Sequence, residues 1–272
     1  SQRKILYKKL KIYININKLS INNLLFGKAL QKCFFFIFIL CLIVYSYKRN
    51  SKSSCGVDRG GKNMARIIAV ANQKGGVAKT TTAVNLSSCL AEKGKKVLLI
   101  DLDPQGNATS GCGIMKHKLT SCIYDVIINE EPIKTVIHDT ELENMKIAPA
   151  RIELAGAEIE LVSQLYREGK LALALKEVKD EFDFIIIDCP PSLGLLTLNA
   201  LCAATDVLIP IQCEYYALEG LSLLMGTLDK VRKSINRDLQ ILGVLLTMFD
   251  ARTNLSIQVV DEVKNYFRDK VF

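Results

Sequence analysis

Absences narrow this 272-residue sequence before any motif does. No two of its nine cysteines are spaced Cys-x-x-Cys, and neither histidine stands at metal-ligand spacing from a cysteine, which excludes the common zinc frameworks. Cys89, Cys189, Cys202 and Cys213 instead lie inside apolar runs, where a free thiol behaves as a small hydrophobe. They are expected to be buried and reduced, as suits cytosol, and His117 and His138 are expected to be exposed loop residues. Acids are scarce in residues 1–63, which carry thirteen Lys or Arg against Asp58 alone, whereas the remainder holds 23 bases and 27 acids. The formal net charge of +8 therefore resides in the leading stretch and does not argue for a broadly basic, nucleic-acid-binding body; any such surface must be a local patch.

That leading stretch is rich in Ile, Asn, Lys, Tyr and Phe and lacks a sustained helical or strand period. Its apolar run, Cys33–Tyr45, has thirteen residues, short of the roughly 20 that cross a bilayer, and no small-x-small cleavage site follows it. Bases flank it on both sides, so charge gives no orientation. Three readings stand: a membrane anchor, a disordered leader, or the accidental translation of AT-rich DNA upstream of the gene. The codons of Asp58–Asn63 can spell a purine-rich ribosome-binding run just before Met64, so translation is expected to begin at Met64. Residues 1–63 are then a non-native or disordered leader, and residues 64–272 form the domain.

From Met64 the pattern becomes short β-branched runs alternating with helical segments, which predicts an α/β fold with a mostly parallel sheet covered by helices on both faces. Strands are expected at 66–71, 97–101, 184–188, 207–211 and 241–248. Helices are expected at 80–92, with Gly94 as its terminating glycine, and at 216–235 and 255–267. Ligands of such sheets bind at the carboxyl ends of the strands.

Between the first strand and its helix stands Asn72-Gln73-Lys74-Gly75-Gly76-Val77-Ala78-Lys79-Thr80-Thr81. A loop that wraps a triphosphate needs glycines for close backbone approach, a helix N-terminus, a lysine for the outer phosphates and a hydroxyl for magnesium. Gly75 and Gly76, Lys79 and Thr80 supply these. The usual phosphate-loop spacing would place glycine at 73 and 78, where Gln73 and Ala78 stand; the sequence meets the deviant form Lys-Gly-Gly-x-x-Lys-Thr instead. No G-x-G-x-x-G is present, which disfavours a dinucleotide fold.

With these residues the chain resembles the ParA/Soj branch of the ParA/MinD family of ATPases, from about Met64 to Phe272. Leu99–Asn107 is similar to the family's second nucleotide motif and Ile187–Ser192 to its Walker B segment, while Leu154–Glu158 and Gln212–Gly220 are similar to stretches of the chromosomal Soj-like branch. The resemblance implies a magnesium-dependent ATPase of the P-loop NTPase fold. Lys74, Gly75, Gly76, Val77, Ala78, Lys79, Thr80 and Thr81 would hold ATP; Thr80 would ligate Mg2+, with Asp188 supporting it. Asp103 would position the attacking water, with Asp101 as its competitor. Lys74 resembles the lysine that reaches the partner subunit's nucleotide, so catalysis would draw on Lys74, Lys79 and Asp103 in an ATP-bound homodimer.

Family members bind DNA without sequence preference and are stimulated by a ParB-type activator. Arg252 matches a DNA-contacting arginine, and Lys230, Arg232, Lys233 and Arg237 would extend that patch. The implied location is cytoplasmic and nucleoid-associated. Relatives continue past the equivalent of Phe272, so a missing C-terminal part is expected. A MinD-like membrane-associated ATPase and a membrane-tethered regulatory ATPase remain as alternatives.

Overall fold

The computed structural model describes residues 65–214 and 217–272, for 217–219 the backbone alone. The expectations for residues 1–63, and for Tyr215 and Tyr216 of the Gln212–Gly220 stretch, lie outside the described residues. Seven strands form one sheet: β1 (Arg66–Val70), β2 (Val97–Asp101), β3 (His138–Asp139), β4 (Met145–Ala148), β5 (Phe184–Asp188), β6 (Asp206–Gln212) and β7 (Gln240–Thr247). They run in the order β3-β4-β2-β5-β1-β6-β7, parallel throughout except that β3 pairs antiparallel with β4 at one edge. This is the P-loop NTPase architecture. Every residue of β2 and β5 is buried. Successive side chains of a strand point to opposite faces, so both faces must be covered.

Among the described residues eight helices provide that cover: α1 (Lys79–Glu92), α2 (Asn107–Gly111), α3 (Ile123–Ile128), α4 (Leu154–Glu160), α5 (Lys170–Ala174), α6 (Leu195–Ala203), α7 (Ala217–Ser234) and α8 (Asn254–Phe267). Spacing of three and four explains the longer ones. α7 buries Leu221, Leu224, Leu228 and Val231, and α8 buries Val259, Val263 and Phe267, each set forming one stripe. Thr253 caps α8 by accepting from the Ser256 N–H, and Gly94 ends α1 at φ 76 with its N–H donated to the Ala91 carbonyl. Asn236, just past α7, donates to the carbonyls of Leu201, Cys202 and Ala204, which satisfies the carboxyl end of α6. No helix among the described residues is long and apolar enough to cross a membrane.

Two expectations need correction. His138 is not an exposed loop residue: β4 offers an edge that His138–Asp139 pairs with, which leaves the imidazole half-buried. Cys189 and Cys213 are buried, but Cys89 and Cys202 are only partly so. Each follows the helical geometry, because Cys89 precedes core-facing Leu90 and Cys202 follows core-facing Leu201. A neighbour in sequence sits roughly 100° around the helix from the buried stripe.

Candidate nucleotide-binding site

The register of the sheet assembles the site. Val70 pairs with Asp188 and Asp188 with Asp101, so β1, β5 and β2 end in one row at the carboxyl edge. The segment that leaves β1 is the Lys74–Thr81 loop, and two of its residues take left-handed backbone, Gly76 at φ 74 and Ala78 at φ 67. Ala78 is the N-cap of α1 without a side-chain cap, and the first turn holds no acid. The leading N–H groups and the positive end of the α1 dipole are therefore offered to an anion.

Polar side chains tie the loop to the neighbouring strands. Asn72, 4% exposed, donates through Nδ2 to the Pro210 carbonyl at 2.6 Å and accepts at Oδ1 from the Lys74 N–H at 3.1 Å. Thr247, at the end of β7, donates from Oγ1 toward the carbonyls of Val77 (3.3 Å) and Ile211 (3.2 Å). On the other side, a Cβ on Gly75 would lie 3.8 Å from the Pro191 side chain, so the turn after β5 runs alongside the loop. The anchoring by Asn72 and Thr247 was not apparent from sequence. Asn72 opens the motif and Thr247 ends a strand at the ligand edge, and these positions were the available signals.

Lys79 is 7% exposed and its Nζ donates to the Lys74 carbonyl at 3.0 Å, which folds the loop around the ammonium. Burial lowers its pKa, opposed by the nearby Asp188, Cys189 and Asp103. Lys74 points elsewhere: its Nζ lies 3.5 Å from Glu214 Oε2.

Asp188 is fully buried, and neither carboxylate oxygen has a hydrogen-bond partner. Burial pushes its pKa up to about 8, reinforced by Asp101, while the Thr80 hydroxyl and Lys79 pull the other way. The Thr80 hydroxyl is near enough to act electrostatically without completing a hydrogen bond to either oxygen. An orphaned hard-oxygen donor beside a hydroxyl and an ammonium fits a magnesium ion that also keeps water and phosphate ligands. Magnesium of this kind is bound by one or two protein oxygens plus substrate phosphates and water.

The two remaining carboxylates of this edge differ in how committed they are. Asp101 is buried and accepts from the Thr109 N–H (2.8 Å), the Thr109 hydroxyl (2.7 Å) and the Asp103 N–H (3.1 Å). Burial lifts its pKa to about 6 against those bonds. Asp103 is half-exposed and accepts from the Gln105 N–H at 2.9 Å through Oδ1. Asp101 is thus spent on fastening α2 to β2, and Asp103 is the carboxylate with capacity left.

The basic residues do not converge. Arg252, 88% exposed, is paired with Asp250 through Nε (2.8 Å) and Nη2 (2.6 Å), which holds the Asp250 carboxyl well below its usual range. It follows the carboxyl end of β7, whereas Lys233 and Arg237 precede the amino end of that strand. An eight-residue strand spans about 26 Å. Arg232 is further engaged, donating from Nε to the Leu239 carbonyl at 2.9 Å. The expected extension of the Arg252 patch by Lys230, Arg232, Lys233 and Arg237 is therefore not a single surface in the described residues.

Known proteins resemble the chain in sequence and in fold. A family model described as an AAA domain matches residues 65–241. The sporulation initiation inhibitor protein Soj of Bacillus subtilis is 61% identical over 209 residues, covering 77% of this chain and 83% of the relative. The chromosome partitioning protein ParA of Myxococcus xanthus is 55% identical over 215 residues, covering 79% and 76%. Among solved structures, a protein from Mycobacterium smegmatis described as cobyrinic acid a,c-diamide synthase with bound ADP and magnesium superposes with a TM-score of 0.71 at 44% identity, covering 75% of this chain and 83% of that one. Relatives of this identity, covered over three quarters or more of their own length, and the matching family model together show that the chain belongs to the ParA/Soj family of partitioning ATPases.

Proposed function

We propose that the chain is a DNA segregation ATPase that pairs with a second copy over magnesium-ATP and holds DNA without sequence preference. It hydrolyses ATP when a ParB-type partner engages it. The supporting observation is the orphaned Asp188 carboxylate beside Thr80 and Lys79, at the uncapped head of α1. A relative named as a chromosome partitioning protein is 55% identical over 215 residues, and the similar Mycobacterium smegmatis structure holds ADP and magnesium.

In this reading the N–H groups of residues 75–81 and the Lys79 ammonium bind the phosphates. Thr80 and Asp188 hold the magnesium ion, which when bound supplies charge neutralisation on the phosphate oxygens. Asp103 orients a water for attack through its uncommitted carboxylate oxygen. Phosphoryl transfer asks for little more than positioning and neutralisation, so one carboxylate suffices. Lys74, released from Glu214, reaches the nucleotide of the second copy and lets two anionic sites face each other. Arg252 contacts DNA phosphates once it gives up Asp250, and the protein works on the nucleoid in the cytoplasm. Residues 64–272 act as the ATPase domain, with residues 1–63 outside it.

Lys74→Ala tests the reading. Binding of a fluorescent ATP analogue should stay within about threefold of the unaltered chain, while ATP-dependent pairing by light scattering and hydrolysis are lost. Hydrolysis that survives the substitution would overturn the shared-site reading. Arg252→Ala should weaken DNA binding uniformly across sequences and reduce the slope of log affinity against log salt by about one.

A further inference from the structure

The turn that follows Asp188 is held from an unexpected side. α6 begins at Leu195 after Gly194, and no side chain of its own N-cap accepts from its first N–H groups. Glu158 on α4 does so instead: Oε2 accepts from the Leu195 N–H at 2.7 Å and Oε1 from the Leu196 N–H at 3.3 Å. The approach is so close that a Cβ on Gly194 would fall within 2.5 Å of both carboxylate oxygens. Glycine at 194 is thus a requirement of the carboxylate's position. At its other end the same connection passes beside the phosphate loop, with Pro191 next to Gly75, and Thr197 ties α6 back to it by donating to the Ser192 carbonyl at 2.6 Å.

We infer that Glu158 is a positioning residue for the nucleotide site, a latch that keeps the Cys189–Gly194 connection closed against the Gly75 face of the phosphate loop. The inference rests on the proposed nucleotide reading and deepens it. A carboxylate is suited to this role because its charge is attracted by the amino end of the α6 dipole, and its two oxygens satisfy two adjacent N–H groups at once. The connection starts at the carboxylate offered to magnesium. Slack introduced at Gly194 therefore reaches the metal-dependent part of binding, while the phosphate loop itself stays anchored by Asn72 and Thr247.

The test compares the full chain with Glu158→Ala, Glu158→Gln and Gly194→Ala. Affinity for a fluorescent ATP analogue is measured with saturating magnesium and again in EDTA, beside the thermal midpoint and amide exchange over residues 189–196. Glu158→Ala is expected to weaken magnesium-nucleotide binding about tenfold, leave the affinity in EDTA unchanged and speed exchange over residues 189–196. Gly194→Ala should do the same by displacing the carboxylate. Glu158→Gln, which keeps one acceptor oxygen and the side-chain shape, should recover most of the affinity and serves if the alanine variant does not fold. A lower thermal midpoint with magnesium and EDTA affinities unchanged, or reduced equally, makes Glu158 a helix cap only and overturns the inference. Failure of the unaltered chain to bind magnesium-nucleotide would remove the nucleotide reading and this inference together. Normal binding by the unaltered chain with an equally tight alanine variant removes this inference alone.

Discussion

Replacing Asp188 with asparagine isolates the cost of a buried carboxylate from the rest of the protein's response to pH. Asp188 is buried with neither oxygen hydrogen-bonded, and burial raises its pKa from 3.8 to about 8. A carboxylate whose folded pKa lies above its unfolded value holds its proton more tightly in the folded chain. Stability is then greatest at low pH and is lost as pH rises from the unfolded value through the folded one. At about 1.4 kcal/mol per unit, rounding off near pH 8, the metal-free chain should lose about 2 kcal/mol between pH 6 and pH 8 from this group alone. Asparagine has no proton to lose. Urea denaturation in EDTA at the two pH values, on the full chain and on Asp188→Asn, should show the variant's advantage growing by that amount. Asp101, raised to about 6, contributes to the slope in both proteins and largely cancels in the difference. Magnesium-nucleotide should reverse the order, because the ion rewards the charged form. A difference between the proteins that stays constant from pH 6 to pH 8 would refute the reasoning.

Thr109→Val removes the hydroxyl that donates to Asp101 and accepts from the Ala150 N–H, leaving buried groups unpaired; urea denaturation should show a loss of about 3 kcal/mol. Asn236→Ala frees the three carbonyls at the end of α6 and should cost about 2 kcal/mol in the same assay, with magnesium-nucleotide affinity unchanged. Ala78→Gly relieves a left-handed non-glycine residue, a gain of about 1 kcal/mol that the added freedom of glycine largely offsets. Its thermal midpoint and nucleotide affinity should stay close to those of the unaltered chain, and a loss above about 1 kcal/mol would contradict the backbone argument.

The strands that carry the site were legible because each is a continuous apolar run: residues 97–101 and 184–188 were bounded to the residue. β4 was not, since Lys146 interrupts a four-residue strand and Met145 carries little strand preference. Helices of five to seven residues such as α2, α3, α4 and α5 are too short to show a helical period. The phosphate loop was readable because its chemistry is local, a run of ten residues in which the two lysines, the paired glycines and Thr80 each have a reason. Glu158 was visible as part of a motif but its contact was not, because its partners lie 37 and 38 residues away and meet it only after α4 and α6 pack. The commitment of Asp101 was equally hidden, since it depends on a hydroxyl eight residues downstream. The Lys230–Arg237 cluster misled in the opposite way, because proximity in sequence to β7 does not place residues at the same end of it.

The position of β1 has a consequence for how the protein comes into being. It is the first strand of the sheet in the sequence, yet both its neighbours, β5 and β6, are translated far later, with Ile68 aligned to Ile186 on one side and Asp206 on the other. A ribosome must release most of the domain before the strand feeding the phosphate loop has anything to pair with. Until then a run of apolar residues waits without a partner. Such late, non-local closure makes folding slow and exposes the nascent chain to aggregation. A chain halted before residue 184 would hold the whole nucleotide loop in its sequence and have no scaffold on which to shape it.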